Sequence, residues 1–172
     1  MTNWPKTSNM LAVRNTSPIS NLASIGRLNL LKSQFSAVWV PDAVAKELMA
    51  HPDPVARNLI QSATRERWIQ VGNMEDSRLL RLLLLQLHQG EAEAIALATD
   101  LKADIVLIDE QEARQLASRT GLAVTGVLGI LLRAKHAGEI SAIKPEIDLL
   151  RSKAHFFVSA PLEAKLLTAA GE

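Results

Sequence analysis

Ile105-Val106-Leu107-Ile108-Asp109-Glu110 decides the reading of this chain. Four aliphatic residues in a row, without polar alternation, predict a strand buried on both faces. Two carboxylates then end it. Working upstream, Glu91 to Leu101 reads as an alanine-rich helix, and Leu79 to Leu87 as another, broken from it at Gly90. Downstream, Gln111 to Arg119 reads as a helix and Leu122-Ala123-Val124 as a strand. Thr125 is placed to cap a helix running to His136 and ended by Gly138.

The same alternation fills the first half. Met10-Leu11-Ala12-Val13 predicts a strand. Ser17 can cap the following helix, with Pro18 at its first position, and Ile19, Leu22, Ala23 and Ile25 form its apolar stripe up to Gly26. Ala37-Val38-Trp39-Val40 predicts a strand stopped by Pro41. Asp42 can cap a helix through Val44, Leu48 and Met49, and Pro54 to Thr64 predicts a further helix. Trp68-Ile69-Gln70-Val71 predicts a short strand. Near the end, helices over Pro145 to Lys153 and Pro161 to Ala169 flank a strand expected at Phe156-Phe157-Val158. Short apolar strands alternating with helices predict an α/β fold, a sandwich with a parallel central sheet covered by helices. No linker divides the chain. One domain is expected over 10–172, with a helical extension from about 140 and a flexible leader over 1–9.

Composition bounds the function. The 172 residues include 48% hydrophobic and 22% charged side chains, enough for a packed core and too apolar for general disorder. Lys+Arg is 19 against 18 Asp+Glu, so nucleic-acid binding has to come from a local feature and not from the overall charge. The absence of cysteine excludes disulfides, zinc-thiolate sites and cysteine nucleophiles, and it suits a reducing cytoplasm. The leucine run Leu79–Leu85, interrupted by Arg81, is far shorter than the roughly 20 apolar residues of a membrane span. Tyrosine is absent and aromatics are 3%, which leaves little surface for base stacking.

In a parallel sheet, ligands bind beyond the carboxyl ends of the strands. Asn15, Thr16 and Ser17 follow the first strand; Glu47 lies on the helix after the second; Asp109 and Glu110 follow the core strand. Glu91 opens the helix leading into that strand. It shares a face with Ile95 and Ala98, while Glu93 points elsewhere. Clustered carboxylates repel unless a cation lies between them, and an all-oxygen set selects Mg²⁺ or Mn²⁺ over zinc. Such an ion can serve phosphodiester hydrolysis. The competing reading takes the same acids as helix-start and turn residues favoured by the helix dipole.

Asn15-Thr16-Ser17-Pro18-Ile19, Val40-Pro41-Asp42-Ala43-Val44 with Glu47-Leu48, Gly90-Glu91-Ala92-Glu93-Ala94-Ile95-Ala96-Leu97-Ala98, Ile105 to Glu110, and Val124-Thr125-Gly126-Val127-Leu128-Gly129 resemble, in this order, the PIN-domain family and its DUF3368 branch. The resemblance runs from about Met10 to at least His136. It implies a PIN-like three-layer α/β/α sandwich and a Mg²⁺- or Mn²⁺-dependent ribonuclease, often the toxin of a toxin–antitoxin pair. It implies an RNA substrate, an antitoxin protein partner, a homodimer and a cytoplasmic location. Carried over residue by residue, it implies that Glu47, Glu91 and Asp109 are catalytic and metal-binding, that Asn15 contacts the metal, and that Ser17 lies beside it. Glu110 and Glu112 are the outer-acid candidates. Asn15 departs from the family, which has Asp there. A neutral amide oxygen can touch a metal but brings no charge. Weaker metal binding is therefore expected than in an Asp-bearing relative, and the alternative is a catalytically weak or inactive PIN-fold protein that binds RNA or a protein.

Other features are weighed similarly. Arg114 and Arg119 can meet phosphates or form a solvated helix face. His51, His88, His136 and His155 lack metal-ligand spacing. Gly126 and Gly129 suit close helix packing better than a phosphate cradle. The leucine run suits the core or, if exposed, a dimer or antitoxin contact. A receiver-like domain with Asp109 as phosphoacceptor lacks an acidic pair after the first strand. A dinucleotide site lacks G-x-G-x-x-G.

Overall fold

A computed structural model describes residues 10–74 and 76–172; the leader expected over 1–9 lies outside the described residues. Five strands are formed among these: β1 Leu11–Arg14, β2 Ala37–Pro41, β3 Ile69–Gly72, β4 Ile105–Leu107 and β5 Val124–Thr125. All pair in parallel in the order β3-β2-β1-β4-β5. The chain therefore builds outward from β1 on one side, then crosses to β4 on the other. The strand order reverses between β1 and β4, which opens a crevice there.

Helices cover both faces. On one lie α1 Thr16–Ser24, α2 Asn29–Gln34, α3 Asp42–Met49, α4 Pro54–Arg65, α8 Val127–His136, α9 Lys144–Ala154 and α10 Ala160–Ala170. Their core joins Ile19, Leu22, Leu31, Val44, Leu48, Ile60, Ile130 and Ile147 to Ala12, Val38, Val40, Ile105 and Leu107 of the sheet. On the other face lie α5 Arg78–Leu83, α6 Gln89–Asp100 and α7 Gln111–Arg119. There Leu83, Ala92, Ile95, Ala96, Ala113 and Ala117 pack on Val13, Val106 and Ile108. Alternation along each strand distributes its side chains between the two cores, so β4 is buried throughout. The small residues of α6 bring that helix close to the sheet. The expected three-layer α/β/α sandwich is the observed fold.

Several local expectations shift. Asn15, not Ser17, is the N-cap residue of α1, and Pro18 is the third helical residue. Pro41 precedes α3, so Asp42 is its first residue and favours the helix dipole instead of capping. Gly126, not Thr125, precedes α8. Gly90 does not break a helix; it is the second residue of α6. A Cβ there would lie 3.3 Å from Val44 Cγ2, so glycine lets the start of α6 close on α3. The leucine run is helical only to Leu83. No strand forms at 156–158: the Phe156 amide donates to Leu150 O at the end of α9, and the Val158 carbonyl accepts from Arg151. Those backbone groups belong to a helix cap, not to a sheet ladder.

Candidate metal-binding cleft

The β1/β4 crevice holds a cleft of about 480 Å³ lined by Asn15, Thr16, Ser17, Glu47, Gln86, Leu87, His88, Gly90, Glu91, Glu110 and Glu112. Four acids face it and none of its lining residues is lysine or arginine. The structure thus brings Asn15, Ser17, Glu47 and Glu91 together at one opening, with Glu110 and Glu112 beside them. Asp109 is not among the lining residues.

Each side chain has a local reason for its place. Asn15 directly follows β1, and its amide donates to Leu107 O of β4 at 3.4 Å, which ties it to the strand crossing. Its side chain is 4% exposed, and Oδ1 has no hydrogen-bond partner among the described residues. A buried amide oxygen without a donor is costly. Thr16 Oγ1 donates to Glu47 Oε2 at 2.5 Å, so the first residue of α1 holds the acid of α3 in place. One turn further along both helices, Ser20 Oγ meets His51 Nε2 at 2.7 Å. The Asp53 amide donates to His51 Nδ1 at 3.2 Å, which makes Nε2 the protonated nitrogen and the donor to Ser20. The two rungs latch α1 to α3 beneath the cleft. Thr16 carries no carboxylate and does not stand out in the sequence; its signal is its place two residues after a strand that ends at a cleft.

Glu91 is 8% exposed at the start of α6, where Oε2 accepts from the His88 amide at 3.3 Å. Burial raises its proton affinity above the usual carboxylate range; the His88 amide opposes this, and the charges of Glu110 and Glu112 add to the rise.

Asp109 has a different environment. Its Oδ1 accepts from the Val127 amide at 2.8 Å, the first amide of α8, and its Oδ2 accepts from Asn21 Nδ2 at 3.4 Å. It caps α8 from the strand end, a capping role that sequence spacing could not reveal because 18 residues separate the partners. Burial also raises its proton affinity, opposed by the α8 amide and by Arg114. Arg114 Nη1 donates to Ile108 O at 2.8 Å and so braces the same corner. Arg119 is exposed, with no recorded polar partner. Gly126 allows this packing: its φ of −139° suits any residue, but a Cβ would lie 2.4 Å from Asp109 Oδ1.

The donor set fits a hard divalent cation. Its atoms are carboxylate oxygens and one orphaned amide oxygen, and no cationic side chain competes for them. No three acidic or histidine side chains among the described residues are already gathered tightly enough to form a closed cage. This suits Mg²⁺, which is held by one or two carboxylates and keeps much of its water.

A family model for DUF3368, described as a PIN domain, matches residues 11–172. No curated protein matches the chain. Among solved structures, a PilT N-terminus domain protein from the hyperthermophilic archaeon Sulfolobus solfataricus P2 is similar at 18% identity and a TM-score of 0.54, over 73% of this chain and 93% of that one. A domain of a functionally unknown protein from Methanocaldococcus jannaschii DSM 2661 is similar at 18% identity and a TM-score of 0.42, over 68% and 90%. The archaeal PilT N-terminus protein shares the fold, and the family match extends over nearly the whole described chain: the protein belongs to the DUF3368 family of PIN domains.

Proposed function

We propose that this chain is a Mg²⁺- or Mn²⁺-dependent endoribonuclease of the PIN family, acting in the cytoplasm as the toxin of a toxin–antitoxin pair. The observation that carries the reading is the cleft itself: four glutamates and an orphaned, buried Asn15 Oδ1 face one opening at the strand crossing.

Glu47, Glu91 and Asn15 would hold the ion, with Glu110 and Glu112 outside them and Ser17 beside Asn15. A divalent cation there supplies Lewis-acid stabilisation of charge on a phosphodiester. Thr16 fixes the carboxylate of Glu47 by donating to one oxygen, leaving the other free. The His88 amide orients Glu91 in the same way. The uncompensated acids repel a bare RNA backbone, so substrate approach depends on neutralisation of the cleft. Glu91 takes up a proton at higher pH than an ordinary glutamate, and metal binding would release it. Beside the cleft, Leu82, Leu84 and Leu85 are exposed immediately before the lining residues Gln86, Leu87 and His88. That patch suits an antitoxin or a second copy.

A second reading, a weak or inactive PIN fold that binds RNA or protein, is favoured by Asn15 and by the turn of Asp109 away from the cleft. Cleavage of a mixed RNA substrate with Mn²⁺ or Mg²⁺ against EDTA separates the two. Metal-dependent cutting by the wild type, abolished in Glu91→Gln, is expected. An inert wild type alongside a cutting Asn15→Asp variant would establish the binding reading.

A further inference from the structure

Arg14 ends β1 and is 0% exposed. Its Nε and both Nη atoms are buried without a hydrogen-bond partner among the described residues. Its Cζ lies 4.8 Å from the centroid of the Phe35 ring, a cation–π contact. That contact alone is too weak to offset the loss of water around a whole charge.

Sheet register identifies the counter-charge. Ala12 pairs with Ile105 and Arg14 with Leu107. Ala12, Ile105 and Leu107 all face the α1/α8 core, so alternation sends the Arg14 side chain to that face too. Asp109 lies two residues beyond Leu107, and its carboxylate meets Val127 of α8 and Asn21 of α1 on that same side. Asp109 is also the acid whose charge acts on the guanidinium. Asn15, one residue after Arg14, lines the cleft instead.

We infer that Arg14 is the resident counter-charge of Asp109, that this buried pair commits Asp109 to the fold, and that the cleft binds its divalent cation without Asp109. The inference rests on reading the cleft as a cation site for its metal half only. The pairing half stands on the register and the burial, and it is read by stability.

Two measurements test it. The first is Mn²⁺ affinity by titration calorimetry on wild type, Glu91→Gln and Asp109→Asn. Glu91→Gln is expected to bind at least about tenfold more weakly, since it removes a ligand charge, while Asp109→Asn stays within about threefold of wild type. A loss in Asp109→Asn equal to that in Glu91→Gln overturns the inference. If the wild type binds no Mn²⁺, the metal reading of the cleft fails, and with it this half alone.

The second is a melting-temperature cycle over Arg14→Met, Asp109→Asn and the double variant, with Arg14→Lys as the charge-keeping control. Asp109→Asn strands a buried cation and should lower Tm by roughly 5–15 °C. It should do so again beside Arg14→Lys, and have less than about a third of that effect beside Arg14→Met. A single variant that fails to fold while the double variant folds is the same rescue in a stronger form. Additive losses, or a double variant no more stable than the worse single one, overturn the pairing.

Discussion

Replacing Gly126 with alanine introduces one methyl group at the corner where β5 passes into α8. The backbone there is available to alanine, and removing glycine stiffens the unfolded chain, a gain of about 0.4–1 kcal/mol. Sterics oppose it. The new Cβ would lie 2.4 Å from Asp109 Oδ1, 3.1 Å from Arg114 Nη1 and 3.2 Å from Ile108 O. The carboxylate oxygen has to move, and it is the one that accepts from the Val127 amide at 2.8 Å. Loss of a charged cap of this kind costs about 1.5–3 kcal/mol, and residual overpacking about 1–3 kcal/mol. The net expectation is a loss of about 2–5 kcal/mol, or a fall in Tm of roughly 5–15 °C at this chain length. Calorimetry on wild type, Gly126→Ala, Asp109→Ala and the double variant reads it. The double variant should be scarcely less stable than Asp109→Ala, because the clashing oxygen is gone. A Gly126→Ala protein as stable as wild type would refute the close packing of Asp109 under α8.

Glu91→Gln should raise Tm at neutral pH. The proton affinity of Glu91 is higher in the fold than in the unfolded chain, so its ionised form opposes folding above the ordinary carboxylate pKa. That opposition fades as pH falls through the raised folded value and vanishes below the unfolded one, where the two proteins should melt alike; a difference independent of pH contradicts it. Asn15→Asp restores a ligand charge and should strengthen Mg²⁺ binding by roughly tenfold; equal affinities would show that position 15 does not contact the ion. Arg27 makes a forked pair with Glu146 of α9, at 3.0 Å and 2.7 Å. Glu146 is 4% exposed, so Arg27→Ala strands a buried acid and should cost about 1–3 kcal/mol, with faster hydrogen exchange in α9. Unchanged exchange would remove that pair from the attachment of the C-terminal helices.

The layers of this fold were legible because they depend on hydrophobic period. The Ile105–Ile108 run, the alanine-rich face of α6 and the stripe of α1 each state in the sequence which side is buried. Helix starts were less legible. Asn15, Pro41 and Gly126 precede their helices where Ser17, Asp42 and Thr125 offered better capping chemistry, because strand register had already fixed where each chain leaves the sheet. The expected strand at Phe156 failed for a related reason: three apolar residues predict burial, but their backbone bonds are taken by the end of α9. At the cleft, the spacing of Glu91 from Ile95 placed it on the inward face, and the resemblance to PIN domains marked Glu47. The direction in which Asp109 turns depends on a helix amide 18 residues away, and the support from Thr16 on a contact across 31 residues. The buried charge of Arg14 gave no periodic signal at all: one arginine at the end of an apolar strand reads as its exit to solvent.

Mn²⁺ soaked into crystals of the wild-type protein and located by its anomalous scattering tests the central claim most directly. The account predicts a peak in the β1/β4 cleft within coordinating distance of Glu47, Glu91 and Asn15 Oδ1. A peak on Asp109, or none in the cleft at saturating Mn²⁺, would contradict it.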